Sequence, residues 1–312
     1  MVKVPPGTDA LSMTTHTKAW IITGPTSGIG YRTALELAKH GTVVLVGRSA
    51  PKLDAVRAEI ESTGGSAVTV TADLSDITSV RHAAAQITGL GLSIGGLLNN
   101  AGIFPAHPAM SAQGWDTAFA TNHLGPFALT EALLPTLPDG ANVVFIVSAV
   151  EDPERKIAVQ AGFRGGRYIS AEASARGEWL SPGGSKLPGG DAYATSKQSI
   201  LAAALALARE YPRLRFNAVE PGINPGSNLG RDMHPALVAV TKALAPVMQL
   251  MPHYTTPKKA AIVITRILTS DSTGTGVYFD ENGNPMRGST QVHDPAFQDR
   301  VVAETRALLA TV

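Results

Sequence analysis

Tyr193 and Lys197 stand in the stretch Tyr193-Ala194-Thr195-Ser196-Lys197. Residues four apart on a helix share one face. An ammonium beside a phenol favours the phenolate and lowers the tyrosine pKa toward working pH, which suits a tyrosine that passes a proton to or from a substrate oxygen. The same spacing recurs at Tyr254 and Lys258, but Pro257 lies between them and breaks the helical face. Tyr193 has no such breaker, and an alanine-rich run follows it. A second chemistry belongs to Thr23-Gly24-Pro25-Thr26-Ser27-Gly28-Ile29-Gly30, between the apolar run 19–22 and a helix-like segment at 31–40. A strand, a glycine-rich turn and a helix make a dinucleotide-binding hairpin. One glycine permits the tight turn, another lets backbone approach a pyrophosphate, and a third lets helix and strand pack closely. The helix start offers free N–H groups to the phosphates.

A third site lies at the end of the second apolar run, Val46-Gly47-Arg48-Ser49. An acid here would hold the ribose 2′-hydroxyl of NAD. Gly47 supplies no carboxylate, and Arg48 offers a guanidinium fork suited to a phosphate. The reading is NADP(H) in preference to NAD(H).

Regular elements must position these groups. Strands are predicted at 19–22, 42–46, 67–71, 96–99, 142–147, 215–219 and 276–279, and the continuous apolar runs among them suit parallel strands buried on both faces. Helices are predicted at 51–63, at 77–87 with Ser75 or Asp76 as cap, at 115–137 and at 192–210. The alternation implies an α/β fold, a single-domain, Rossmann-type doubly wound parallel sheet of about seven strands with helices on both faces. Ligands of such sheets bind at the carboxyl ends of the strands. Asp73-Leu74, Asn99-Asn100-Ala101-Gly102, Ser148 and Pro221-Gly222 follow four of those ends. No G-x-S-x-G elbow surrounds Ser148, which argues against a hydrolase nucleophile. Asp73 reads equally as a ligand contact or a helix-capping acid. Asn122 is a poor mid-helix residue because its amide competes with the backbone, and its neighbour His123 reads as an ordinary helix histidine.

Composition narrows the function classes. The chain has 312 residues, is 44% hydrophobic and carries a net charge of +1, so no general electrostatic attraction to nucleic acid or to an anionic membrane is expected. It has no cysteine, which removes disulfides, thiolate metal sites and a cysteine nucleophile, and no metal is expected. No apolar run is long enough to span a membrane, and a cytoplasmic protein is the expectation. Residues 1–17 read as a flexible leader and 18–312 as one domain. Two stretches are long for connections: one before Tyr193, with a segment at about 151–186, and one at about 224–257. The second holds a methionine-bearing amphipathic pattern, 236–251, expected to cover an apolar substrate cleft.

The octet, Asn99-Asn100-Ala101-Gly102, Ser148, the Tyr193–Lys197 pair and Pro221-Gly222 occur in an order that resembles a classical short-chain dehydrogenase/reductase, over about 18–268. Gly47-Arg48, Asp73-Leu74 with Ser79-Val80-Arg81, and Gly276-Val277-Tyr278-Phe279 look like NADP-linked retinol dehydrogenase and carbonyl reductase relatives. The resemblance implies a catalytic set of Asn122, Ser148, Tyr193 and Lys197. Ser148 would hydrogen-bond the substrate oxygen, Lys197 would hold the nicotinamide ribose, and Asn122 would support a proton relay. It implies cofactor contacts at Gly24, Thr26, Ser27, Gly28, Ile29, Gly30, Arg48 and Ser49. Further contacts are implied at Asp73, Leu74, Asn100, Ala101, Gly102, Tyr193, Lys197, Pro221, Gly222 and, beside the carboxamide, Ser227. The partner is a small-molecule carbonyl or alcohol.

The chain departs from that pattern in one respect. Ser148 and Tyr193 are 45 positions apart, much farther than is usual in the family. Some monomeric carbonyl reductases carry an insertion here that covers a dimerisation face, so the segment weighs toward monomer over homo-oligomer. Its Arg155, Lys156, Arg164, Arg167 and Arg176 leave two other readings: a substrate mouth, including one for an anionic substrate, or a solvated loop. Two rival functions are a non-catalytic NADP(H)-binding redox sensor, which need not retain all four catalytic residues, and a nucleotide-sugar epimerase or dehydratase, which the octet and N-N-A-G disfavour.

Overall fold

The computed structural model describes residues 18–105, 107–180, 184–187, 189–224, 253–271 and 274–312. The expected leader 1–17, the amphipathic stretch 236–251 and Ser227 lie outside the described residues.

The first strand, β1 (Ala19–Thr23), is buried along its whole length. Its side chains alternate between two cores, Ala19 and Ile21 toward one and Trp20 and Ile22 toward the other. That is why the run is continuously apolar. It is followed by α1 (Gly28–Leu37), β2 (Thr42–Gly47), α2 (Ala50–Ser62), β3 (Ala67–Thr71), α3 (Ile77–Gly89) and β4 (Ile94–Asn99). After β5 (Asn142–Ile146), β6 (Arg215–Val219) and β7 (Val277–Phe279), the sheet is complete in the order β3-β2-β1-β4-β5-β6-β7, every pairing parallel. The chain winds outward from β1 to β3 and then returns to β4 on the other side. The two halves part between β1 and β4, and a crevice opens at their carboxyl ends.

Helices cover both faces. Leu37 of α1, Leu53, Val56 and Ile60 of α2, and Ile264 and Leu268 of a later helix, α9 (Pro257–Thr269), fill one core. The other holds α3, α5 (Gly125–Leu133), α8 (Gly190–Glu210) and α10 (Pro295–Leu309). Asp76, not Ser75, caps α3, accepting from Thr78 N at 3.0 Å. Among the described residues no helix is long and apolar enough to cross a membrane.

The helix expected over 115–137 is not continuous. Asp116 caps a short α4 (Thr117–Phe119), a π-helical turn follows at Ala120–Leu124, and α5 then runs to Leu133 before a 3₁₀ turn. The irregularity coincides with a close tertiary contact. Gly125 packs so tightly on the turn between β3 and α3 that an added Cβ would lie 2.1 Å from the Leu74 carbonyl oxygen. Pro126 next to it has no N–H to give to the ladder. The π turn lies where Asn122 turns into the site.

The insertion before Tyr193 is ordered around two short helices, α6 (Lys156–Gln160) and α7 (Ala171–Ala175). It is pinned at its start and at its middle. Glu151 accepts from the Ser289 backbone N–H at 2.9 Å and hydroxyl at 2.7 Å. Glu304 on α10 accepts from Tyr168 Oη at 2.7 Å and from Ala171 N at 3.0 Å. Arg167 N donates to Thr195 of α8 at 2.9 Å. The solvated-loop reading of this segment is therefore set aside.

Candidate active site

A cavity of about 860 Å³ opens at the carboxyl ends of the strands. One end is built by the glycine turn between β1 and α1. Gly24 has φ +68° and Gly28 φ +57°, both in the left-handed region where a side chain is strained. Gly30 answers a different need, because a Cβ there would lie 2.2 Å from the Gly24 carbonyl oxygen and 2.4 Å from Asn100 Nδ2. Asn100 Nδ2 donates to the Thr23 and Gly24 carbonyls at 2.9 and 3.2 Å, and Thr23 Oγ1 accepts from Asn100 N and Ala101 N at 3.0 Å each. The N-N-A-G segment thus locks the β4 end to the glycine turn. The surface left over Gly28 is open, with nothing within 4 Å of where a Cβ would stand. Thr26, Ser27 and Ile29 line the same wall, with Arg48, Ser49 and Lys52 beyond them and Asp73 and Leu74 at the side. Asp73 does not cap α3. Its Oδ1 accepts from Ser75 N at 2.9 Å and Ser75 Oγ at 2.7 Å, a turn that keeps it at the cavity wall.

The other end is built by α8. Every residue from Ala192 to Ala208 is buried, so the helix is held from all sides. Tyr193 and Lys197 share the face toward the cavity, together with Ser148, which hydrogen-bonds Tyr193. Lys197 Nζ donates to the Ile146 carbonyl at 2.9 Å and sits 5.6 Å from the Tyr193 ring centroid. Burial lowers the Lys197 ammonium to about 8, against a nearby negative charge on Glu220 that raises it. The expected lowering of the Tyr193 pKa is not what the structure gives. Burial and then the Glu220 carboxylate push the phenol up, and the bond with Ser148 pulls it only partly back. The Lys197 ammonium meanwhile directs a hydrogen bond to the Ile146 carbonyl, and burial of the phenol is the larger effect.

Asn122 is buried, and its side chain is committed to scaffolding. Its Oδ1 accepts from Ile103 N at 2.8 Å, and its Nδ2 donates to the Ile103 carbonyl at 2.9 Å and to Ser196 Oγ at 3.0 Å. It therefore ties the loop after β4 to the Tyr193 helix. His123 beside it is fully buried against Thr305 Oγ1 at 2.8 Å, and desolvation takes its pKa down to about 3. It stays neutral and far from acid–base use. Tyr254 pairs with Ile223 outside any helix while Lys258 lies in α9, so that second Y-x-x-x-K pair forms no shared face. Pro221 and Gly222 line the cavity, as do Ala101 and Gly102.

Several lining residues have no motif to mark them. Phe104 stands edge-on to Tyr193 at 5.1 Å between centroids, and Phe163 of the insertion lies 5.8 Å from Phe104 and 6.5 Å from Tyr193. Ile157, Ala158 and Ala161 of the insertion continue this apolar wall, and Arg155 joins its rim. The insertion therefore supplies part of the cavity wall. Glu220 is a different omission: a charged residue directly after the buried β6 run was visible in sequence, and it faces the same cavity.

Residues 18–159 match the family model described as short chain dehydrogenase. A short-chain dehydrogenase/reductase of Armillaria gallica is 34% identical over 214 residues, which cover 67% of this chain and 65% of that relative. Retinol dehydrogenase 12 of Bos taurus is 39% identical over 127 residues, 40% of each chain. The matched stretches thus span two thirds or less of these relatives. Among solved structures, an uncharacterized protein from Mycobacterium paratuberculosis superposes with a TM-score of 0.67 at 26% identity, covering 94% of this chain and 93% of the other. A blue fluorescent protein from a metagenomic library, solved in complex with NADPH, gives 0.62 at 26% identity, covering 85% and 96%.

Proposed function

The chain belongs to the short-chain dehydrogenase/reductase family, and on that premise we propose that it is an NADP(H)-dependent oxidoreductase acting on a carbonyl or secondary alcohol of an apolar small molecule. One observation carries the reading: Tyr193, hydrogen-bonded to Ser148 and backed by Lys197, faces one end of the cavity whose other end is the glycine turn. When bound, the nicotinamide supplies the hydride chemistry. Tyr193 exchanges a proton with the substrate oxygen, and Ser148 hydrogen-bonds that oxygen. Lys197 holds the ribose, and Asn122 keeps the loop and helix around the relay in place. The open backbone at Gly28 and the tight approach at Gly30 fit a pyrophosphate, and Arg48 with Ser49 fits a 2′-phosphate. The aromatic and aliphatic wall of Phe104, Phe163, Ile157 and Ala158 suits an apolar substrate.

The test is oxidation of NADPH and NADH against ketones, aldehydes, quinones and retinoids. Turnover is expected with NADPH in preference to NADH. Arg48→Ala is expected to lower the ratio of kcat/KM for NADPH over NADH by about tenfold or more, since a charge-assisted hydrogen bond contributes roughly 1.5–3 kcal/mol. An unchanged ratio would remove Arg48 from cofactor choice.

The same reading holds the chain to be a monomer. α8 is buried under the insertion and under α10, which packs on both α8 and α7, and Arg306 of α10 pairs with Glu131 of α5 and Glu210 of α8. No face of α8 is left for a second copy. Light scattering in solution is expected to return 32.4 kDa; twice that mass would contradict it.

A further inference from the structure

We propose that Glu220 is a positioning residue of this site, whose carboxylate clamps the two strand ends beneath the reaction centre and places a titratable charge in the cavity that Tyr193 and Lys197 line. The inference rests on the oxidoreductase reading of the same cavity. Glu220 is the first residue beyond β6 and is 8% exposed. Its backbone N–H donates to the Phe279 carbonyl at 2.8 Å, which fixes it between β6 and β7. Its side chain does the bridging. One oxygen accepts from Ala149 N, the residue next to Ser148, and the other accepts from Gly222 N at 3.1 Å. A single carboxylate therefore ties the Ser148 end of β5 to the Pro221-Gly222 turn, and it borders the cavity that Tyr193 and Lys197 also line.

The charged surroundings decide what that carboxylate does. From α8 it faces Tyr193 and Lys197, both of which feel its charge. From the insertion it faces Arg155 and Glu151. From β7 and the turn after it come Tyr278 and Glu281. His253, before α9, lies 3.2 Å from Glu281 Oε1 and 3.4 Å from Arg155 Nη2. Burial opposes ionisation, while the two backbone N–H bonds and Arg155 favour it, and the outcome is a carboxyl raised to about 7. Its folded pKa lies above the ordinary value, so the charge develops as pH rises through neutrality. Once present, the charge favours the protonated forms of both Tyr193 and Lys197. The phenol of Tyr193 then remains a proton donor to higher pH than it would beside a neutral residue. Carbonyl reduction needs that donor.

Two readouts test this on the full chain. In the first, tyrosinate absorbance is followed against pH, and the Tyr193 contribution is isolated by difference from Tyr193→Phe, with Glu220 and with Glu220→Gln. In the second, the pH profile of NADPH-dependent reduction is recorded for the wild type, Glu220→Gln and Glu220→Asp. Glu220→Gln keeps the length and one carbonyl acceptor but removes the charge. It is expected to lower the pH of Tyr193 ionisation, and the alkaline limb of reduction with it, by about one unit. Glu220→Asp keeps the charge and should hold the limb at its wild-type position even where the rate falls. An ionisation and a limb unmoved in Glu220→Gln would overturn the proposal. So would a rate loss in both variants without any shift in pH, which would leave a clamp and nothing more. Absence of turnover by the wild type on every carbonyl, with the absorbance shift intact, would sink the oxidoreductase reading and leave the Glu220 assignment standing.

Discussion

Tyr193→Phe is expected to lower kcat for carbonyl reduction by about 10²–10⁴-fold, the usual contribution of a positioned acid–base group. The substitution removes one oxygen and leaves the ring. The ring is held by Phe104 at 5.1 Å and by Phe163 at 6.5 Å, and none of that packing depends on the hydroxyl. Ser148 loses its partner at a cost of roughly 1 kcal/mol. NADPH affinity should therefore change little while turnover collapses, a split that a folding defect would not give. Equilibrium binding by NADPH fluorescence, measured beside initial rates, checks both halves. A variant that keeps a tenth or more of the wild-type kcat would exclude Tyr193 as the proton donor. The loss in a Tyr193→Phe, Lys197→Met double variant should be well below the product of the two single losses, because in the proposed mechanism the two side chains act as a unit.

How much of this was legible beforehand depends on whether a residue's role is local. The glycine turn, the strand positions and the Tyr193–Lys197 face follow from short-range pattern, since φ > 0, helical spacing and strand burial are properties of a few consecutive residues. The break at Ala120–Leu124 was hidden because the contact it coincides with is tertiary, the approach of Gly125 to the Leu74 carbonyl. The insertion's place was equally hidden. Its anchors, Glu151 to Ser289 and Tyr168 to Glu304, join residues more than a hundred positions apart, and no periodicity encodes them. The Tyr193 pKa shows the same limit from the other side. Spacing brought the lysine near, but it did not reveal that Ile146 would take the ammonium's hydrogen bond or that Glu220 would stand opposite.

Gly30→Ala is the second large effect, and its sign is decided by two opposed magnitudes. Gly30 lies inside α1, where alanine is favoured over glycine by roughly 1 kcal/mol. Against this, the new methyl would stand 2.2 Å from the Gly24 carbonyl oxygen, a backbone atom, and 2.4 Å from Asn100 Nδ2. Neither atom is the free end of a flexible chain, since Asn100 is fixed by its bonds to Thr23 and Gly24. Overpacking of this kind costs about 1–3 kcal/mol or more, so the net change is destabilising. The displaced group is the turn itself, and NADPH affinity should fall by at least about tenfold with the loss of a preorganised phosphate cradle. Gly28→Ala offers the contrast. It meets no atom within 4 Å, but its φ of +57° costs an alanine about 1–2 kcal/mol in backbone strain. Thermal unfolding without ligand and NADPH titration separate the two. Gly30→Ala should weaken NADPH binding through displacement of Gly24 and Asn100, and a Gly30→Ala protein that is more stable and binds as tightly as the wild type would mean that α1 and the β4 end are not packed as described.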